Sequence, residues 1–263
     1  MARQRLGQHF LSAPGWRERI LKTLPRGSRD VWIEIGAGHG EMTRHLAANA
    51  RRVMAIETDP RLAATLQESV EAQPREWPGV EIVPGDVLAL DLAKLAGNDT
   101  FRVYGNLPYY ITSPILHHLF GYASQIDSIH VVIQYEVAAR IVARPGRREY
   151  GYLSAACQFY SHPVIALQIP PGAFRPPPKV HSALVEMTLP GERQNLGISD
   201  EAKLLKFIQL CFGQKRKTLR NNLRAIARDD HIRRALESAQ LRPDARAEQL
   251  SLAQFSAIFT ALG

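Results

Sequence analysis

At 263 residues, 45% hydrophobic and 22% charged, the chain can hold one α/β domain plus a smaller second unit, with a composition ordinary for globular proteins. It has no apolar run near the roughly 18 residues a membrane span needs and no secretory apolar core after Met1-Ala2-Arg3, so a cytoplasmic protein is expected. The net charge of +8 is uneven: residues 1–29 hold seven basic and one acidic side chain, 30–189 thirteen and sixteen, and 190–263 thirteen and eight. A mildly acidic middle between two basic ends suggests a cofactor-binding core flanked by surfaces that meet a polyanion.

From Val31 onward, short apolar runs alternate with helix-like segments, the pattern of a sheet covered by helices. Strands are predicted at Val31–Ile35, Val53–Ile56, Val80–Val83, Phe101–Tyr104 and Ile129–Ile133. Two more, Val164–Ile169 and Ala183–Leu189, are expected to pair like a hairpin across the Pro-rich turn Pro170–Pro178. Helical spacing appears at Glu41–Ala50, Arg61–Ala72, Ser113–Phe120 and Glu136–Val142. Past Pro190-Gly191-Glu192 the strand pattern stops, and helices are predicted at Asp200–Phe212, Lys215–Arg228, His231–Ser238 and Leu252–Leu262. The expectation is therefore an α/β domain over 1–190 and a small all-helical domain over 191–263. Cys157 and Cys211, far apart in apolar stretches, are predicted to be buried free thiols, as a reducing compartment allows.

The segment Ile33-Glu34-Ile35-Gly36-Ala37-Gly38-His39-Gly40-Glu41 is a strand, a glycine loop and a helix start. Its G-x-G-x-G spacing falls one residue short of the dinucleotide fingerprint, whose longer cradle serves a pyrophosphate. Glu57 ends the next strand, where a carboxylate can accept both ribose hydroxyls, and Asp86 ends the third, where it can accept an adenine amino group. Together they favour an adenosine-containing, phosphate-free cofactor, of which S-adenosylmethionine is the commonest. The competing reading is that both acids merely cap strand-end turns.

Asn106-Leu107-Pro108-Tyr109 follows the fourth strand, at the carboxyl edge of the sheet beside the glycine loop. An exocyclic adenine nitrogen is a poor nucleophile because its lone pair is delocalised into the ring. The Asn106 side-chain oxygen and a backbone carbonyl near Leu107 or Pro108 can hold its N–H groups and turn the lone pair outward. Pro108 fixes the turn, and Tyr109 offers a face for an unstacked base. A plain Asn-x-Pro turn with core tyrosines is the competing reading.

With Gly7-Gln8-His9-Phe10-Leu11, this tetrad resembles the ribosomal RNA adenine N6,N6-dimethyltransferase family, on its small-subunit branch. The resemblance runs nearly end to end, through Gln134–Arg140, Tyr150–Ser154, Phe174–Val180 and Phe212–Leu223. It implies a Rossmann-like S-adenosylmethionine-dependent methyltransferase domain with a helical C-terminal domain. The implied activity is dimethylation of two adjacent adenines near the 3′ end of small-subunit (16S) rRNA, within an assembling 30S particle. It also implies that His9 and Leu11 line the cofactor pocket with Gly36, Gly38, Glu57, Asp86 and Asn106. Asn is frequent in the family where His9 stands here, and Asp where His181 stands.

On the Pro-rich loop, Phe174 is expected to pack on the other face of the target base and Lys179 to meet a nearby phosphate. Lys215, Arg216, Arg220 and Arg224 lie on the predicted Lys215–Arg228 helix, with Arg216, Arg220, Arg224 and Arg228 at steps of four opposite Leu219, Leu223 and Ile226. This is a stripe suited to a phosphate backbone. Histidine spacing suggests no metal, and the chain is expected to be monomeric. Other readings are a large-subunit rRNA dimethyltransferase of the macrolide-resistance type, sharing the tetrad, and a non-enzymatic nucleic-acid-binding factor on the same fold. A DNA adenine methyltransferase would usually carry a proline where Leu107 stands.

Overall fold

The protein is described by a computed structural model covering residues 9–27, 29–97, 99–214 and 217–263. The predicted roles of Lys215 and Arg216, and the Gly7-Gln8 part of the N-terminal motif, lie outside the described residues. Contacts divide the chain into two compact units: Met1–Ala138 with Val164–Leu189, and Ala139–Pro163 with Pro190–Gly263.

In chain order the elements of the first half are β1 (Phe10–Leu11), α1 (Pro14–Thr23), β2 (Val31–Ile35), α2 (Glu41–Ala47), β3 (Arg52–Glu57), α3 (Pro60–Ala72), β4 (Val80–Pro84), α4 (Leu92–Ala96), β5 (Phe101–Asn106), α5 (Thr112–Phe120) and β6 (Ile126–Gln134). There follow α6 (Tyr135–Ile141), α7 (Tyr152–Tyr160), β7 (His162–Ile169), β8 (Phe174–Arg175) and β9 (Ser182–Thr188). The first unit is built on a seven-stranded sheet of order β4-β3-β2-β5-β6-β9-β7. Strands β2 to β6 run parallel, and β9 lies antiparallel to β6. The expected pairing of the last two strands is present, since β9 and β7 are neighbours.

Strand order reverses between β2 and β5: the chain leaves β2 for β3 and β4 on one side and returns through β5 and β6 on the other. A crevice opens at such a switch point, because successive connections diverge from it. Ile35 pairs with Gly105 at the carboxyl ends of these two strands, so the glycine loop and the tetrad begin side by side. All five residues of β2 are buried, as expected for a central strand covered on both faces.

Helix starts follow local chemistry. Asp59 caps α3 by accepting from the Arg61 N–H at 2.9 Å, with Pro60 at the first helical position. Across the sheet runs a buried polar row, in which Glu34 pairs with Tyr104 and Tyr104 with His130. Burial pushes the Glu34 carboxyl up to about 8, with Glu41 and Glu57 adding to the shift, and brings His130 down to about 4.

The second unit contains α8 (Arg193–Leu196), α9 (Glu201–Cys211), α10 (Leu219–Leu223), α11 (Asp229–Ser238) and α12 (Leu252–Leu262). Its core joins Tyr150, Ala155 and Phe159 to Leu204, Ile208, Leu219, Leu236 and Phe255. The expected boundary at 190 placed residues 139–163 in the first domain. Instead, the apolar side chains of α7 and of the preceding Tyr150 complete the helical core, which is why 139–163 groups there. Helix α12 opens with a capping box: the Ser251 hydroxyl accepts from the Gln254 N–H at 3.2 Å and the Gln254 side-chain Oε1 accepts from the Ser251 N–H at 3.0 Å. Cys157 and Cys211 are free and buried. No helix is long and apolar enough to cross a membrane, among the described residues.

Candidate functional site

The crevice at the switch point holds a cavity of about 240 Å³ in the first unit. Gly36, Glu57, Asp86 and the whole tetrad line it, together with His9 and Phe10. The strand ends singled out from the sequence thus meet at one cavity.

The glycine loop turns through left-handed backbone, with φ +59° at Gly38 and +81° at Gly40. At Gly40 a side chain would be strained by the positive φ, and its Cβ would stand 2.5 Å from Leu66 Cδ1 and 2.8 Å from the Trp77 ring, so glycine suits the point where the loop enters α2. Glu57 is 3% exposed and secures this loop: one carboxylate oxygen accepts from the Gly38 N–H at 2.8 Å and the other from the Asp59 N–H at 2.8 Å. Gly38 is thus not among the cavity residues; its N–H is spent on Glu57. Asp86 is exposed and caps a short turn by accepting from the Leu88 N–H at 3.0 Å. Capping and ligand binding are compatible, because each carboxylate oxygen has two lone pairs.

Strand β1 alternates, and this corrects one expectation. Leu11 is 7% exposed and packs in the core with Ile20 and Trp32, whereas Phe10 faces the cavity. The signal for Phe10 was available in the period-2 rule for strands, but a two-residue strand is too short to announce itself in the sequence.

Asn106 ends β5 and donates from its amide nitrogen to the His9 carbonyl at 2.8 Å. A carbonyl can only accept, so the NH₂ group must face His9, and the Asn106 Oδ1 is left for another partner. Leu107 is 2% exposed and anchored through its N–H to the Val132 carbonyl at 3.0 Å. The Pro108 carbonyl already accepts from the Ile111 N–H at 3.2 Å and the Thr112 hydroxyl at 3.3 Å. Of the two backbone carbonyls considered from sequence, that leaves the one on Leu107 as the available acceptor. Tyr109 shares a 2.9 Å hydrogen bond between its hydroxyl and that of Ser182, and its ring lies 5.6 Å from the His9 ring. Desolvation raises the Tyr109 phenol above its ordinary range, so it is uncharged. The His9 Nδ1 donates to the Pro176 carbonyl at 2.6 Å, which joins the N-terminal segment to the Pro-rich loop.

Phe174, expected on the target base, is 2% exposed and packed in the core with Leu11, Ile20 and Leu184. Pairing of β1 with β8 turns its ring inward, with Leu11 opposite Phe174 in register. Lys179 is exposed.

In the second unit, among the described residues of the predicted Lys215–Arg228 helix, only α10, five residues long, is an α-helix. Asn222, 8% exposed, points inward and donates to the Cys211 carbonyl at 2.6 Å, and the chain turns after Leu223. Ile226, expected in an apolar seam, is 51% exposed. Arg220 and Arg224 are not a free stripe: their guanidiniums donate to the same Asp229 carboxylate at 3.0 and 2.9 Å. Among the described residues, no group of three or more His, Cys, Asp or Glu side chains converges as a metal site would require.

The sequence matches the family described as "Ribosomal RNA adenine dimethylase" over residues 1–263. It is 41% identical to the "Ribosomal RNA small subunit methyltransferase A" of Xanthomonas axonopodis pv. citri, over 97% of this chain and 94% of that one. Among solved structures, the fold is similar to a dimethyladenosine transferase from Plasmodium falciparum (TM-score 0.77, 22% identity, 96% of each chain). It is also similar to the 23S rRNA methyltransferase ErmE (TM-score 0.74, 26% identity, 96% of this chain and 99% of that one). With that family matched over the whole chain and 41% identity across 97% of it to a named relative, the chain belongs to the ribosomal RNA adenine dimethylase family.

Proposed function

We propose that the protein uses S-adenosylmethionine to dimethylate the N6 amino groups of two adjacent adenines near the 3′ end of 16S rRNA, within an assembling small subunit. The observation that carries this reading is the Asn106–His9 hydrogen bond, which leaves the Asn106 oxygen available to a donor arriving in the cavity. The small-subunit target is supported by the 41% identity to a small-subunit methyltransferase, against 26% to ErmE.

The cofactor suits the residues present. Gly36 has left-handed backbone at φ +75°, and a Cβ there would meet only the Asn106 carbonyl at 3.9 Å, so main chain forms the cavity wall. Glu57 would accept the ribose hydroxyls through its remaining lone pairs, Asp86 the adenine amino group, and His9 would stand beside the methionine part. No phosphate cradle is needed. When bound, S-adenosylmethionine supplies an electrophilic methyl on a positively charged sulfur.

The protein's part is alignment. Asn106 Oδ1 and the Leu107 carbonyl accept the two N–H groups of the target amine, which draws its lone pair out of conjugation and aims it along the transfer line. The same two oxygens stabilise positive charge as it develops on that nitrogen. Pro108 keeps the turn rigid, and the Tyr109 ring, held by Ser182, supports the face of the base. The methylated nitrogen then gives its proton to water, so no strong general base is required. Lys179 and the arginines of the helical unit, Arg220 and Arg224 with Lys215 and Arg216, would meet phosphates and set register without choosing the base.

The test is incubation with labelled cofactor and undermodified small or large subunits, followed by mapping of the modified base. Label in dimethyladenine of the small subunit alone is expected; label confined to the large subunit would refute the assignment.

A further inference from the structure

The two tyrosines that follow Pro108 have different circumstances. Tyr109 is fixed at both ends, its hydroxyl on Ser182 and its ring beside His9. Tyr110 lines the same cavity but is 59% exposed, the most exposed large hydrophobic side chain among the described residues. Among the described residues its ring pairs with no other aromatic ring and its hydroxyl makes no hydrogen bond. What sets Tyr110 apart is its place: an accessible aromatic face at the mouth of a cavity, where a planar ring can cover it. Its place is set by the fold: the backbone turns at residues 109–111 before α5 begins at Thr112, so consecutive side chains leave in different directions.

We propose that Tyr110 is a stacking platform for the nucleotide next to the target adenine. The proposal rests on the reading above, that the target is an adenine in RNA. A base drawn into the cavity leaves its neighbour unstacked on one side at the cavity mouth. An exposed aromatic face there replaces the lost stack. Phe174 is buried in the core, so it does not offer this surface. Stacking on an aromatic ring tolerates any base, because every base has a π-face. Tyr110 therefore supports the flanking nucleotide whatever its identity, and the same contact serves when the strand moves by one nucleotide and an adjacent adenine enters the cavity. The ligand class is single-stranded RNA with an extruded base; the contribution is to RNA binding, with the methyl-transfer geometry left to Asn106 and Leu107.

The experiment compares wild type, Tyr110→Ala and Tyr110→Phe on undermodified small subunits, with cofactor affinity measured by calorimetry. Tyr110→Ala is expected to raise KM for RNA roughly 5- to 150-fold, with kcat and cofactor affinity nearly unchanged, and Tyr110→Phe to restore wild-type KM. A 2-aminopurine next to the target should lose its quenching in Tyr110→Ala, while one at the target position keeps it. An unchanged KM in Tyr110→Ala, with an active wild type, overturns the proposal and leaves the methyltransferase reading standing. Weakened cofactor binding in that variant also overturns it, by making Tyr110 a wall of the cofactor site. A wild type that transfers no methyl to RNA removes the underlying reading and the proposal with it.

Discussion

The side-chain amide of Asn106 and the main-chain carbonyl of His9 lie 2.8 Å apart, though 97 residues separate them in the chain. This contact makes the orientation of Asn106 a property of the N-terminal segment as well as of β5. Replacing Asn106 by Asp keeps the size but sets a carboxylate oxygen against the His9 carbonyl. We expect Asn106→Asp to lower the single-turnover methylation rate by at least about 100-fold, near 3 kcal/mol of transition-state stabilisation. Cofactor binding by calorimetry should stay largely intact. A near-normal rate would show that the bond from the Asn106 NH₂ to the His9 carbonyl is not what positions the acceptor oxygen.

Glu57 both ties the glycine loop and faces the cavity. Glu57→Gln leaves an NH₂ group against one of two backbone N–H donors. A drop in cofactor affinity of about tenfold or more is expected from one lost charge-assisted bond. Asp86→Ala should also weaken cofactor binding, without loosening the loop. Calorimetry and hydrogen exchange at Gly38 separate the two: exchange should quicken only in Glu57→Gln.

Phe174 distinguishes core from ligand surface. Phe174→Ala should cost about 3–5 kcal/mol of stability, read as a lowered denaturation midpoint. Phe174→Leu should fold and methylate normally. A folded Phe174→Leu protein that has lost RNA affinity would restore the base-stacking role that the buried ring contradicts.

Asp229 holds Arg220 and Arg224 together and cancels one of their two charges. The arginines keep the Asp229 carboxyl well below its usual range, so it stays ionised at any working pH. Asp229→Asn should tighten RNA binding at low salt and steepen the salt dependence by about one unit of slope. A shallower slope would mean that Asp229 serves by positioning the guanidiniums.

The buried Glu34 gives stability a pH dependence. The unfolded chain releases this proton near pH 4.5, whereas the folded protein keeps it to about 8. The folded state therefore binds more protons between those values, and its stability falls as pH rises. His130 acts oppositely, since its folded value of about 4 lies below the ordinary 6.5, so acidification through that range costs stability. The two oppose each other below pH 6.5. Above it Glu34 acts alone, and stability should fall by about 1.4 kcal/mol per pH unit up to pH 8. Thermal melts of Glu34→Gln across pH 6–9 should lose that slope; an unchanged slope would locate the effect elsewhere.

The sequence by itself determined the alternation of elements, the strand positions to within a few residues, and the meeting of Gly36, Glu57, Asp86 and Asn106 at strand ends. These follow from local rules: period-2 and period-3.6 patterning, turn residues and the carboxyl-edge position of ligand sites. The assignment of α7 to the helical core, the short α10 and the pairing of Arg220 and Arg224 with Asp229 depend on side chains that meet only once the chain has turned. For the same reason tertiary structure alone decided that Leu11 and Phe174 are core while Phe10 lines the site, because the pairing of β1 with β8 joins residues more than 160 positions apart. The Asn106 oxygen is free because the NH₂ of the same amide is held by a carbonyl from the far end of the domain, a relationship no local pattern encodes.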